Sequence, residues 1–134
     1  MSDIATTTPP SKTILVVEDD RFLRDIIVTH LRRAQYTVVC ATTGEEALDM
    51  AAAEHIDLII LDIVLSGING LDVIARLQQQ EATKAIPFMV FSNSDEPASL
   101  SRGKELGAVT YLVKALSTPE RIVTEVTNFL QSKQ

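Results

Sequence analysis

Four apolar runs in this chain end on side chains that can do chemistry. Asp62 follows "LIIL", Glu18, Asp19 and Asp20 follow "ILVV", Ser92 follows "FMVF" and Lys114 follows "TYLV". A full charge costs several kcal/mol to bury, so an acid at the end of such a run must reach water or be held by something positive. If the run ends lie together, several carboxylates share a shallow pocket with one hydroxyl and one ammonium, and they repel unless a cation joins them. Oxygen ligands, with neither cysteine nor histidine among them, suit Mg²⁺, which keeps several waters and takes one or two carboxylates plus a phosphate oxygen.

That grouping depends on the elements that carry it. Apolar runs at Thr13 to Val17, Thr37 to Ala41, Leu58 to Leu61, Phe88 to Phe91 and Val109 to Val113 are β-branched and do not alternate with polar residues. Such runs read as strands covered on both faces. Between them, Arg21 to Ala34 carries Leu23, Ile26, Ile27 and Leu31 at helical spacing, and Glu120 to Gln131 carries Ile122, Val126, Phe129 and Leu130 the same way. Thr43 and Glu46 form a capping-box pattern, Asp20 reads as a helix cap, Gly107 follows a helix end, and "STPE" from Ser117 opens the last helix. Asp95 to Gly107 is the weakest helix, with serines, a glycine and a thin apolar face. Strand then helix, five times over, gives an α/β fold with a parallel sheet, whose ligands bind beyond the carboxyl ends of the strands.

Composition narrows the function. At 134 residues the chain is one domain, read as residues 12–134 behind a disordered tail of residues 1–11. Eighteen acidic against twelve basic residues, net charge -6 and no strong basic cluster argue against direct nucleic acid binding. No apolar run approaches a membrane span and the start lacks signal-peptide features, so a cytoplasmic location away from membranes is expected. The lone Cys40 excludes an intrachain disulfide and a cysteine metal cluster. His30 and His55 fall on predicted helical segments away from the strand ends and read as surface residues.

"ILVVEDD", "LIILDIVLSGINGLDV", "MVFSNS" and "YLVKA", in that order and each at a strand end, closely resemble the receiver domain of two-component response regulators, over about Lys12 to Leu130. The resemblance implies a flavodoxin-like three-layer sandwich with five helices and strand order 2-1-3-4-5. It makes Asp62 the phosphoacceptor, taking a phosphoryl group from a sensor histidine kinase or a histidine phosphotransfer protein. Glu18, Asp19, Asp62 and the backbone carbonyl of Val64 would hold Mg²⁺, while Lys114 and Ser92 would meet phosphoryl oxygens. Ser92 and Tyr111 would form the switch that changes the face of helix 4, strand 5 and helix 5 toward a downstream protein target, with phosphorylation-dependent dimerisation as one outcome. Such a domain is a phosphoacceptor that catalyses its own phosphoryl transfer and slow dephosphorylation. The chain has no room for an output domain, so output on a separate partner is expected.

Some residues depart from the family's pattern. Ala115 follows the lysine where proline is frequent, and a trans bond is expected because a cis bond without proline costs about 2.5–4 kcal/mol. Ser66 replaces another frequent proline, Ser94 offers a second hydroxyl near Ser92, and the apolar Val64 suggests slow hydrolysis of the phosphoryl group. Three other functions remain to weigh. A haloacid-dehalogenase-like phosphatase needs a second acid where Val64 stands, and a flavodoxin-like electron carrier needs a phosphate-cradling loop where "EDDR" stands. A receiver-like adaptor that binds partners without phosphorylation is favoured only by Ala115.

Overall fold

The computed structural model describes residues 11–93 and 96–132. The strands are β1 (Thr13–Val17), β2 (Thr37–Ala41), β3 (Leu58–Leu61), β4 (Phe88–Ser92) and β5 (Thr110–Val113). They alternate with helices α1 (Arg21–Arg33), α2 (Gly44–Ala53), α3 (Gly70–Leu77), α4 (Pro97–Glu105) and α5 (Pro119–Ser132), and a short 3₁₀ turn, Lys114–Leu116, follows β5. The sheet is wholly parallel, in the order β2-β1-β3-β4-β5. This is the flavodoxin-like sandwich and strand order that the sequence implies.

Successive side chains on a strand point to opposite faces, so each central strand feeds two cores. Leu15, Val17, Ile59, Leu61 and Val90 pack with Ala47 and Ala51 of α2 and Leu71, Ile74 and Leu77 of α3. Ile14, Val16, Leu58, Ile60, Met89 and Phe91 pack on the other face with Ile27 and Leu31 of α1 and Ile122, Val126 and Leu130 of α5. Burying each such side chain contributes about 1.5–3 kcal/mol, which is why the central strands tolerate no polar residue before their ends.

Helix ends follow local chemistry. Asp20 caps α1 by accepting the Leu23 N–H, Asn69 caps α3 by accepting that of Leu71, and Thr118 accepts that of Arg121. Thr43 accepts the Glu46 N–H, but the Glu46 carboxylate returns to the N–H and hydroxyl of Thr42, not to Thr43. The expected capping box is thus shifted by one residue. At the end of α4, the N–H groups of Gly107 and Ala108 bond back to Lys104 and Gly103, and Gly107 takes a φ of 93°.

Other expectations need adjustment. Helix α4 is shorter than Asp95 to Gly107, and only Gly103 is buried, because its run holds few apolar residues to anchor it. His55 lies in the connection after α2, which ends at Ala53, and only His30 is helical. The tail expectation falls on residues 1–10, outside the described residues, whereas Ser11 donates its hydroxyl to the Gln35 carbonyl. Ser94 and Asp95 also lie outside them. Among the described residues no peptide bond is cis, in keeping with the trans bond expected before Ala115. No helix among them is long and apolar enough to cross a membrane.

Gly70 fixes the loop between β3 and α3. Its N–H donates to the Ile63 carbonyl at 2.8 Å, and a Cβ at this position would run into the carbonyl oxygen of Asp62. Gly70→Ala therefore lowers unfolding stability in urea by about 1–3 kcal/mol. A midpoint equal to that of wild type would show that the loop has room to spare.

Candidate functional site

Strand register brings the chemistry together. Val17 pairs with both Ala41 and Leu61, and the ladder runs one step further, with Glu18 N–H bonded to Ala41 and Asp62 N–H bonded to Val17. Glu18 and Asp62 therefore leave adjacent strands at the same level. Leu61 is level with Val90 and Val90 with Tyr111, which sets Ser92 and Lys114 just above them on the next strands.

The geometry is that of a shared cation. Lys114 Nζ lies 2.6 Å from Asp62 Oδ2 and 2.8 Å from Glu18 Oε1. Both acids are almost wholly buried, Glu18 at 1% exposure and Asp62 at 5%. Asp62 Oδ1 accepts the Val64 N–H at 3.2 Å, and Glu18 Oε2 accepts that of Asp20 at 3.1 Å. Lys114 also lies 5.7 Å above the Phe91 ring, an arrangement in which the ring face attracts the ammonium. Burial pushes the Glu18 carboxyl above its ordinary range, against the Lys114 ion pair and the Asp20 N–H. Burial pulls Lys114 down, but its hydrogen bonds to Asp62 and Glu18 outweigh that and hold the ammonium above its ordinary value.

Glu18, Asp19 and Asp62 each offer a carboxylate oxygen, all within 4.8 Å of one another, and Asp19 faces solvent. Apart from the Lys114 contact, Glu18 Oε1 has no hydrogen-bond partner among the described residues. A buried acceptor with spare capacity beside two further carboxylates fits a hard divalent cation, so these residues can coordinate a metal ion.

Family comparison agrees with this arrangement. The family model for the response regulator receiver domain matches residues 14–127. This chain belongs to that family. It is 37% identical over 110 residues to the alkaline phosphatase synthesis transcriptional regulatory protein PhoP of Bacillus subtilis, covering 82% of this chain and 45% of that protein. The chain thus spans about half the length of the curated relatives it matches. Among solved structures it superposes on the Vibrio cholerae chemotaxis protein CheY4 with TM-score 0.82 at 27% identity, covering 89% and 98% of the two chains. It superposes on the non-phosphorylated HemR receiver domain of Leptospira biflexa with TM-score 0.80 at 28% identity, covering 88% and 93%. Receiver domains are phosphoacceptors, not classical enzymes, and the acid and lysine cluster is consistent with such a site.

The structure thus gathers Glu18, Asp19, Asp62 and Lys114. Ser92 is buried at the end of β4, and Tyr111 is half-buried on β5 against the α2/α3 face of the core. By strand alternation these two share one face of the sheet, opposite the face bearing Phe91 and Leu112. Sequence reasoning missed three supporting contacts. Arg24 Nη1 donates to the Glu18 carbonyl, Ser66 Oγ to Asp19 Oδ2, and Ala115 N–H to Asn93 Oδ1. Arg24 sits one turn beyond the Asp20 cap, a spacing that in retrospect aims it back at the loop.

A pH profile checks the ion pair. Lys114→Met leaves Glu18 and Asp62 without their ammonium and lowers stability near neutral pH by about 1–3 kcal/mol. Because the folded pKa of Lys114 is raised, its contribution is complete below the ordinary 10.5 and fades as pH rises through the folded value. Glu18, also raised, is relieved when protonated, so the gap between variant and wild type closes again toward pH 4.5 and below. Urea titrations across this range should trace a bell, and a flat difference would refute the assignment.

Proposed function

We propose that Asp62 accepts a phosphoryl group from a phosphohistidine of a sensor kinase or histidine phosphotransfer protein. The observation that carries this reading is the Lys114 ammonium held between the buried Asp62 and Glu18 carboxylates. An Asp62 carboxylate oxygen attacks phosphorus, the P–N bond to the imidazole breaks, the imidazole takes up a proton as it leaves, and an acyl phosphate forms. Lys114 then neutralises one phosphoryl oxygen and the Ser92 hydroxyl donates to another. Phosphoryl transfer depends mainly on such positioning and charge cancellation.

Glu18, Asp19, Asp62 and the Val64 carbonyl would hold Mg²⁺, which supplies positive charge to the transferring group. Exposed Phe22, Val64 and Leu116 stand at the same edge, in the loop or first turn after β1, β3 and β5, and offer a donor protein apolar contact around the acids. Ser92 drawn toward the phosphoryl group vacates space for Tyr111, and the α4/β5/α5 face changes its affinity for a downstream target or a second copy.

Intact mass after incubation with a small-molecule phosphodonor tests the chemistry. One phosphoryl adduct should form in Mg²⁺, none in chelator and none on Asp62→Asn, whereas the same adduct on the mutant would reject Asp62. The exposed side chain of Val64 lies where water would approach. Val64→Asn should shorten the lifetime of the adduct after removal of the donor, and an equal or longer lifetime would reject that role.

A further inference from the structure

We propose that Asn93 is a positioning residue for Lys114, acting through the Ala115 N–H that its side-chain oxygen accepts at 2.9 Å. The 3₁₀ turn carrying Lys114 has little else to hold it. Its own bond, from Ser117 N–H to the Lys114 carbonyl, is stretched to 3.4 Å, and the turn contains no buried residue, with Leu116 78% exposed. Lys114 nevertheless has to place one nitrogen within 2.8 Å of two carboxylates on two other strands. Asn93 supplies the missing tie from β4, where it directly follows Ser92.

The bond depends on a feature particular to this sequence. A proline at position 115 would have no N–H to give, so Asn93 has a donor to accept from because a residue other than proline stands there. The two side chains assigned to phosphoryl oxygens, Ser92 and Lys114, are thereby joined through one hydrogen bond between neighbouring loops. Asn93 acts through the Ala115 N–H and so sets where the ammonium stands.

This inference rests on the phosphoacceptor reading of the site, and two measurements separate them. Amide hydrogen exchange reads the bond directly: Ala115 is exposed, so slow exchange of its N–H requires the Asn93 oxygen. Protection should be present in wild type, lost in Asn93→Ala and retained in Asn93→Asp, which keeps an acceptor. The initial rate of adduct formation from a small-molecule phosphodonor should fall about 2- to 10-fold in Asn93→Ala, the net worth of one hydrogen bond expressed as a rate. Mg²⁺ affinity should not weaken, because the ammonium that Asn93 positions competes with the metal for the Glu18 and Asp62 carboxylates. In an Ala115→Pro background, Asn93→Ala should have no further effect on the rate.

Unchanged Ala115 protection or an unchanged rate in Asn93→Ala overturns the positioning role. So does a rate loss that persists in the proline background, or one matched by weaker Mg²⁺ binding. Absence of an adduct on every variant, wild type included, instead overturns the phosphoacceptor reading itself.

Discussion

The site depends on one ammonium serving two buried carboxylates. Glu18 and Asp62 leave adjacent strands at the same level, and without Lys114 between them both would face the desolvation cost of an unpaired charge as well as each other's repulsion. Their burial follows from the order of the sheet. β1 and β3 are central, covered by helices on both faces, so residues at their ends remain out of water unless a loop turns them outward. Lys114 reaches them from the end of β5, across β4, with its ammonium over the Phe91 ring. The long reach uses the flexible alkyl chain of lysine, with its single charged point at the end.

Much of this was legible in the chain itself. All five apolar runs became strands within a residue or so of their predicted bounds, because a run that feeds two cores must be apolar throughout. The acids and Lys114 were legible for the complementary reason, since a charge directly behind such a run has nowhere bland to go. What escaped notice was pairwise and conformational. Nothing in the sequence around Asn93 shows that its amide meets a backbone N–H on another strand, and nothing around Gly70 shows that the Asp62 carbonyl leaves no room for a Cβ. His55 was misplaced because helix periodicity extends past the residue where the chain turns to extended backbone at Glu54.

The two faces of the sheet carry different side chains at its carboxyl edge. Strand alternation puts Glu18, Asp62 and Phe91 with the face packed by α1 and α5, where the Lys114 ammonium meets them, and Ser92 and Tyr111 with the face packed by α2 and α3. Ion pairing is thus concentrated on one side, with a hydroxyl and an aromatic ring on the other. Helix α4 is loosely anchored. It buries only Gly103, where a Cβ would meet the Tyr111 ring, and it is tied to α3 by Arg102 with Asp72 and by Gln78 donating to the Leu106 carbonyl. Few buried contacts mean a small free-energy difference between alternative placements.

The charge balance of the pocket suits a further cation. Three carboxylates lie within 4.8 Å of one another, against a single ammonium. Replacing the Asp62 carboxylate by an acyl phosphate keeps that local excess of negative charge or enlarges it, because the phosphoryl oxygens are themselves anionic. Lys114 cannot follow the new oxygens without loosening its contact to Glu18, whose carboxyl is already raised by burial and would be left less well matched. A divalent cation held by Glu18, Asp19 and Asp62 would ease that conflict by neutralising the acids. The same imbalance that makes the pocket costly to assemble is therefore what suits it to a bound cation.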